Sequence, residues 1–451
     1  MKLTWRKLKL PEFGVPEQRP DIPRQVFETR CREAYRVAGC DWLAVYGDRE
    51  HFGNLHYLTE FDPRFEEALL LIGPDNRKYM LVGMESLDCM DQLKIDAEVV
   101  LYQTFGLMGQ DRTKSPRLDD ILRDIGLKKG DRVGICGWKY LEPRERLLGS
   151  DNLFVPAMLV DGMRQVVQGD GEIVDTTHVL MHPTAGQRVQ NDVAQIAALE
   201  WGAARASVAV SNIVNGTKPG MTEFEAVANM RYAGEPLSAH VMFSAGRDKI
   251  VGLYSPSARK VMKGDGVTTA VAYWGGLNCR AGLIEENDDN FLTEFAMPYF
   301  RGIATWYEQA TIGLTGGELY EIVSDVLAQG GLRPLLNPGH LTSTEEWLHT
   351  PVRPSSSEKI ASGMAFQCDI IPTFISGSLP DGIGLNCEDS VVFADERLRE
   401  ELQKQYPEMW ARVQARRQFI QEEIGLTISD ELLPLSNNSA YFAPLWLSPD
   451  H

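Results

Sequence analysis

Few side chains in this sequence stand at spacings that by themselves specify chemistry. The seven cysteines, Cys31, Cys40, Cys89, Cys136, Cys279, Cys368 and Cys387, are odd in number and form no C-x-x-C pair. Free thiols in a reducing compartment are expected. Two segments are unusually charged for loops beside apolar strands: Tyr46-Gly47-Asp48-Arg49-Glu50-His51 and Phe61-Asp62-Pro63-Arg64-Phe65-Glu66-Glu67. They read either as ligand-facing loops or as solvated turns with local ion pairs. His240 stands just before Val241-Met242-Phe243-Ser244, at a strand start, where an imidazole serves structure as readily as it serves a ligand.

The elements that must position these groups follow from periodicity and turn chemistry. Residues 1–20 carry Pro11, Pro16 and Pro20 and read as an extended arm, suited over 9–24 to crossing between subunits. A helix is expected over 23–39. Strands are expected at Trp42–Tyr46, Ala68–Ile72, Lys78–Val82, Val99–Tyr102 and Arg132–Cys136, with a helix near 116–125. Gly73-Pro74-Asp75-Asn76 is a turn cluster between two of the strands. Strands alternating with helices predict a compact α/β first domain. A boundary is expected near 165–188. A long alanine-rich helix should follow over 191–214, and a second over 222–232, opened by a Thr222/Glu225 capping box. Strands should dominate 240–393, interrupted by helices near 290–307 and 316–329, before a charged helix over 396–424. The expected organisation is domain 1–170 and domain 171–451, the latter ending in a helical tail.

Composition bounds the function. The chain has 451 residues, 43% apolar and 24% charged, as in ordinary globular proteins. A formal net charge of -18 argues against nucleic acid and anionic membrane as partners, since both need a basic surface. No apolar run approaches the roughly 18 residues of a membrane span. The first residues, Met1–Arg6, lack the apolar core of a signal peptide, so a cytoplasmic location is expected.

Three segments together resemble the creatinase/prolidase/aminopeptidase P (pita-bread) superfamily. Leu55-His56-Tyr57-Leu58-Thr59-Glu60-Phe61 is similar to its amino-terminal "NxxYLTGF" segment. Lys263-Gly264-Asp265 is similar to the "KGD" turn. Gly363-Met364-Ala365-Phe366, Asp369 and Glu388-Asp389-Ser390-Val391-Val392 resemble its "GMVFTIEP…ExxVLVT" ending. The resemblance covers about residues 25–395. It implies an α+β fold: an amino-terminal creatinase-like α/β domain followed by a carboxy-terminal pita-bread domain.

The metal-dependent members hold two ions with two aspartates, a histidine and two acidic residues. Counted from the turn, the aspartate positions fall on Ala270 and Ala281, while His340, Asp369 and Glu388 match the other three. A methyl group coordinates nothing, so no metal and no cofactor is expected, although one histidine and two carboxylates could still form a weak single-ion site. Without two ions, metal-activated peptide hydrolysis loses its lowered water pKa. The histidine that precedes "YSP" in relatives is Leu253 here, before Tyr254-Ser255-Pro256. The second substrate histidine aligns loosely with His349.

The resemblance makes His340, Asp369, Glu388 and His349 the catalytic candidates, and His240, Arg64, Arg280 and Tyr254 the substrate-binding ones. In creatinase-like dimers the first domain of one subunit covers the other's pocket, a part open to Arg49, His51 or Arg64. Strand parity sets Arg280 against Ala281, so both cannot face one pocket, whereas Cys279 shares the side of Ala281 as a pocket thiol or a small buried residue. Cys368 and Cys387 should face away from their acidic neighbours.

Creatinase itself cleaves a guanidino carbon–nitrogen bond with histidine and carboxylates and without metal. Three readings follow. The first is a metal-independent hydrolase or lyase of a small polar, carboxylate-bearing molecule, acting as a homodimer. The second is a catalytically silent binding protein. The third is an Xaa-Pro aminopeptidase-like metallopeptidase with rearranged ligands.

Overall fold

The computed structural model describes residues 3–246, 252–376, 380 and 382–448. The chain divides into two compact units, Ile22–Val189 and a second made of the first 21 residues with Gln190–His451. It is an α+β protein throughout. Among the described residues no helix is long and apolar enough to cross a membrane.

The first unit is built on a six-stranded mixed sheet. Its strands are β1 (Trp42–Gly47), β2 (Ala68–Ile72), β3 (Lys78–Val82), β4 (Glu98–Leu101), β5 (Arg132–Cys136) and β6 (Glu172–Asp175), in the order β4-β3-β2-β1-β5-β6. The contacts of β1 with β2 and of β2 with β3 are antiparallel. The crossover contacts, β1 with β5, β3 with β4 and β5 with β6, are parallel. Central strands buried on both faces explain the unbroken apolar runs of 42–46 and 68–72.

The second unit carries β7 (Met242–Gly246), β8 (Gly266–Tyr273), β9 (Gly276–Leu283), β10 (Leu332–Pro334), β11 (His340–Leu341), β12 (Ala365–Ile370), β13 (Pro372–Phe374), β14 (Cys387–Phe393) and β15 (Leu432–Pro434). The main sheet runs β11-β12-β14-β9-β8-β7, with β15 on β14. β10 and β13 pair apart from it. The long helix Val193–Gly216 packs Ala206, Ala209, Val210 and Ile213 against Val267, Val271 and Tyr273 of β8. It comes so close to the β8–β9 turn that a Cβ on Gly202 would stand 1.9 Å from the Trp274 carbonyl oxygen. That helix covers one face of the sheet. Alternation turns Thr268, Ala270 and Ala272 to the other.

Several helices depart from the sequence reading. The Thr222/Glu225 capping box forms, but its helix is only Glu223–Ala228. The charged stretch 396–424 is not one helix. It breaks between Glu396–Gln405 and Pro407–Gln418, because Pro407 has no N–H to continue the ladder, and it ends in a π turn at Phe419–Ile424. The proline-bearing arm packs along the second unit of its own chain. Arg205 donates to the carbonyls of Pro16 and Glu17, Asn437 to that of Gly14, and the Tyr441 hydroxyl to that of Leu8.

Candidate active site

Strand register assembles the site. In the β8–β9 hairpin, Ala270 faces Cys279 and Thr268 faces Ala281. Cys279 is in turn opposite Glu388, and Glu388 is opposite Asp369. Directly opposed residues of antiparallel strands project to the same face. Ala270, Ala281, Cys279, Glu388 and Asp369 therefore share one face. Gln367, two residues before Asp369, is opposite His340 of β11 and brings it to that face as well.

His340 is held tightly. Gly339 precedes it at φ +118°, where a Cβ would meet the Gln367 carbonyl at 2.9 Å and the Trp306 indole nitrogen at 3.2 Å. The same indole N–H donates to the Pro338 carbonyl at 2.9 Å, and the Thr350 hydroxyl donates to the Gly339 carbonyl at 2.8 Å. His340 Nδ1 lies 3.2 Å from the Leu341 carbonyl, which can only accept. Nδ1 therefore donates there, and Nε2 is the ring nitrogen turned to the carboxylates.

Three carboxylates surround Nε2: Glu388 Oε1 at 3.2 Å, Glu346 Oε1 at 3.5 Å and Asp369 Oδ2 at 4.0 Å. All are nearly buried, Glu346 at 4% exposure and Asp369 and Glu388 at 9% each. Burial pushes all three carboxyls up. For Asp369 the rise, to about 6, is opposed by His340. For Glu388 and Glu346 the other carboxylates add to it. Gln367 donates to Glu346 Oε2 at 3.5 Å. Glu346 Oε1 accepts no hydrogen bond. A proton on His340 Nε2, 3.5 Å away, or on a neighbouring carboxyl, or a cation, would give it a partner.

Where relatives would place aspartates, the face is apolar. Ala270 packs with Met242, Ala272, Leu277 and Cys279. Ala281 is 1% exposed. Beside it the Thr268 hydroxyl donates to Asn386 Oδ1 at 3.0 Å, and Asn386 Nδ2 donates to Cys279 Sγ at 2.7 Å. The Cys279 thiol is pushed well up by burial and then by Glu388, so it holds its proton and is a poor nucleophile. The donor set does not fit a pair of ions, since two of the five positions carry methyl groups.

The remaining sequence candidates lie elsewhere. Arg280 is on the opposite face, as strand parity requires. It pairs with Asp389 at 2.7 Å, is 6% exposed, and does not reach the cluster, which corrects its assignment to substrate. Cys368 and Cys387 share that far face by register. His349 bridges to Leu341, and alternation turns it away from His340, so its catalytic assignment is also corrected. His240 is exposed, with Nε2 2.8 Å from the Leu253 carbonyl, and Tyr254 beside it is 57% exposed. Neither takes part in the contacts that link the four groups. In the first unit, Arg64 pairs with Asp62 at 3.2 Å and lies over the Phe52 ring. The residue that sequence reasoning missed is Glu346. Its only signal was Thr344-Glu345-Glu346-Trp347, two acids six or fewer positions beyond His340 in a loop without periodicity.

No family model and no curated protein matches this sequence. Solved structures share its fold. An Xaa-Pro dipeptidase from Bacillus anthracis aligns at TM-score 0.60 and 18% identity, over 83% of this chain and 96% of that one. A prolidase from Pyrococcus horikoshii OT3 aligns at 0.62 and 15%, over 82% and 95%. An X-Pro aminopeptidase from Thermotoga maritima MSB8 aligns at 0.61 and 16%, over 82% and 95%. The chain therefore has the fold of the creatinase/prolidase/aminopeptidase P superfamily, an amino-terminal α/β domain joined to a pita-bread domain.

Proposed function

We propose that the protein is a hydrolase that cleaves a carbon–nitrogen or similar bond of a small polar, carboxylate-bearing molecule without a two-ion centre. The observation that carries this reading is the convergence of His340, Glu346, Asp369 and Glu388 on the face where Ala270 and Ala281 stand. Buried carboxyls that hold protons near neutral pH beside an imidazole form an acid–base set. His340 Nε2 takes a proton from water as its oxygen bonds to the substrate carbon. The carboxylic acid shared by Glu346 and Glu388 protonates the leaving nitrogen as the carbon–nitrogen bond breaks. The proton on His340 then returns to the carboxylate pair, so one water is consumed and the site is reset.

A substrate carboxylate needs a cation. Arg280 is unsuited, being committed to Asp389. Arg64, supplied across a homodimer, is the proposed donor, as the likeness to creatinase suggests. A second reading, a silent binding protein, draws on the apolar cluster at Ala270 and on the near-complete burial of the four groups.

The test is a panel of carboxylate-bearing guanidino, ureido and amide compounds, incubated with chelator-treated protein and assayed for released ammonia or amine. Turnover that survives chelation is the expected result. Activity on Xaa-Pro peptides that appears only with two equivalents of manganese, cobalt or zinc would revive the metallopeptidase reading. No release from any member would favour the silent one.

A further inference from the structure

We propose that the Asn386 amide donates to the carbonyl oxygen of the scissile group, so that the substrate is a ureido or amide acid and not a guanidino one. This inference rests on the hydrolase reading and narrows its substrate class.

Strand register puts Asn386 beside the vacated positions. Cys387 is opposite Arg280 and Glu388 opposite Cys279, so one step back along the same strand sets Asn386 level with Ala281. It shares the side of Glu388, two residues on and about 7 Å away along the strand. Three groups form a ring on that face. The Thr268 hydroxyl donates to Asn386 Oδ1 at 3.0 Å, Asn386 Nδ2 donates to Cys279 Sγ at 2.7 Å, and Cys279 Sγ lies 3.8 Å from Thr268 Oγ1. Thr268 and Cys279 are buried and hold the amide plane in place. An amide has two N–H donors, and the ring takes one. The second meets no acceptor among the described residues. Asn386 itself is half-buried, and the chain beside it is Gly252, where a Cβ would stand 3.8 Å from Nδ2. A side chain at 252 would cover the amide, whereas glycine leaves it open.

The free N–H lies across Glu388 from the base. His340 comes from the β11 side of the sheet, and the ring from the β8–β9 side. As the water oxygen bonds to the carbonyl carbon, its proton passes to His340 Nε2 and the carbonyl π pair moves onto oxygen. That oxyanion accepts from Asn386 Nδ2–H. The pair returns to form the carbonyl as the carbon–nitrogen bond breaks, and the leaving nitrogen takes its proton from the Glu346/Glu388 acid. A guanidinium offers only N–H donors and would set one of them against the Asn386 N–H.

The probes are three carboxylic acids of one chain length that differ only in the scissile group: ureido, amide and guanidino. The wild type should turn over a ureido or amide acid at least tenfold faster than the guanidino one. Asn386→Ala should lower kcat on that substrate by roughly 10²–10³-fold at little-changed KM, the usual worth of one oxyanion donor. Asn386→Asp still accepts from Thr268 but has no N–H, and should lose as much. Thermal midpoints show that both variants are folded. Preference for the guanidino acid, or wild-type kcat in a folded Asn386 variant, would overturn this inference and leave the hydrolase reading standing. No turnover of any of the three by the wild type would overturn both.

Discussion

His340→Ala should lower turnover by roughly 10²–10⁴-fold, the usual worth of a positioned acid–base group. Among the described residues, His340 is the imidazole that contacts all three carboxylates, through its Nε2. His349 cannot replace it, because its pairing with Leu341 turns it to the other side of the sheet edge. The loss should fall on kcat. His340→Gln, which keeps a polar side chain but neither takes up nor releases a proton near neutral pH, should be as inactive as the alanine variant. Both proteins should unfold within a few degrees of the wild type, since the residue's backbone is fixed by Gly339, Trp306 and Thr350 and not by its ring. A variant that turns over at the wild-type rate on the same substrate removes His340 from the mechanism.

The largest stability effect is expected on the far face of the same strands. Asp389 accepts from Arg280 at 2.7 Å, from Asn278 at 3.1 Å, from the Tyr307 hydroxyl at 3.0 Å and from the Ala440 N–H at 2.9 Å. Its side chain is 2% exposed and that of Arg280 7%. Asp389→Ala leaves a buried guanidinium without its counter-ion and should cost about 3–5 kcal/mol. Denaturant titration reads this as a lower midpoint at unchanged slope. The double change Asp389→Leu with Arg280→Met removes both charges and should recover most of the loss. A double variant as unstable as the single one would show that the hydrogen bonds to Asn278, Tyr307 and Ala440, and not the ion pair, hold this region. An Asp389→Ala protein with wild-type stability would contradict the account of Arg280 as a structural residue.

How much of this was legible in the sequence follows the regularity of the backbone. Strand parity is a local rule, so the opposition of Arg280 and Ala281, the shared side of Cys279 and the turning away of Cys368 and Cys387 could all be read from single strands. The turn at Lys263-Gly264-Asp265 set the count to Ala270 and Ala281, and the hairpin register puts both on one face. Glu346 was not legible, because residues 342–348 repeat at neither a helical nor a strand period and are placed by tertiary pairing. The Leu341–His349 bridge folds the loop back, and Gln367 reaches it from the neighbouring strand. The His349 assignment failed for the same reason, since its facing depends on a bridge that no local pattern announces. The break at Pro407 was readable and was missed, because the amphipathic charge pattern runs straight through it.

The central claim is that the face which holds two ions in metal-dependent relatives has room for at most one here, because Ala270 and Ala281 offer no ligands. Anomalous diffraction from crystals soaked in Mn²⁺ addresses it at the atoms concerned. The account predicts no strong peak beside Ala270 and Ala281. Two strong peaks about 3.5–4 Å apart, the second beside Ala270 and Ala281, would contradict it.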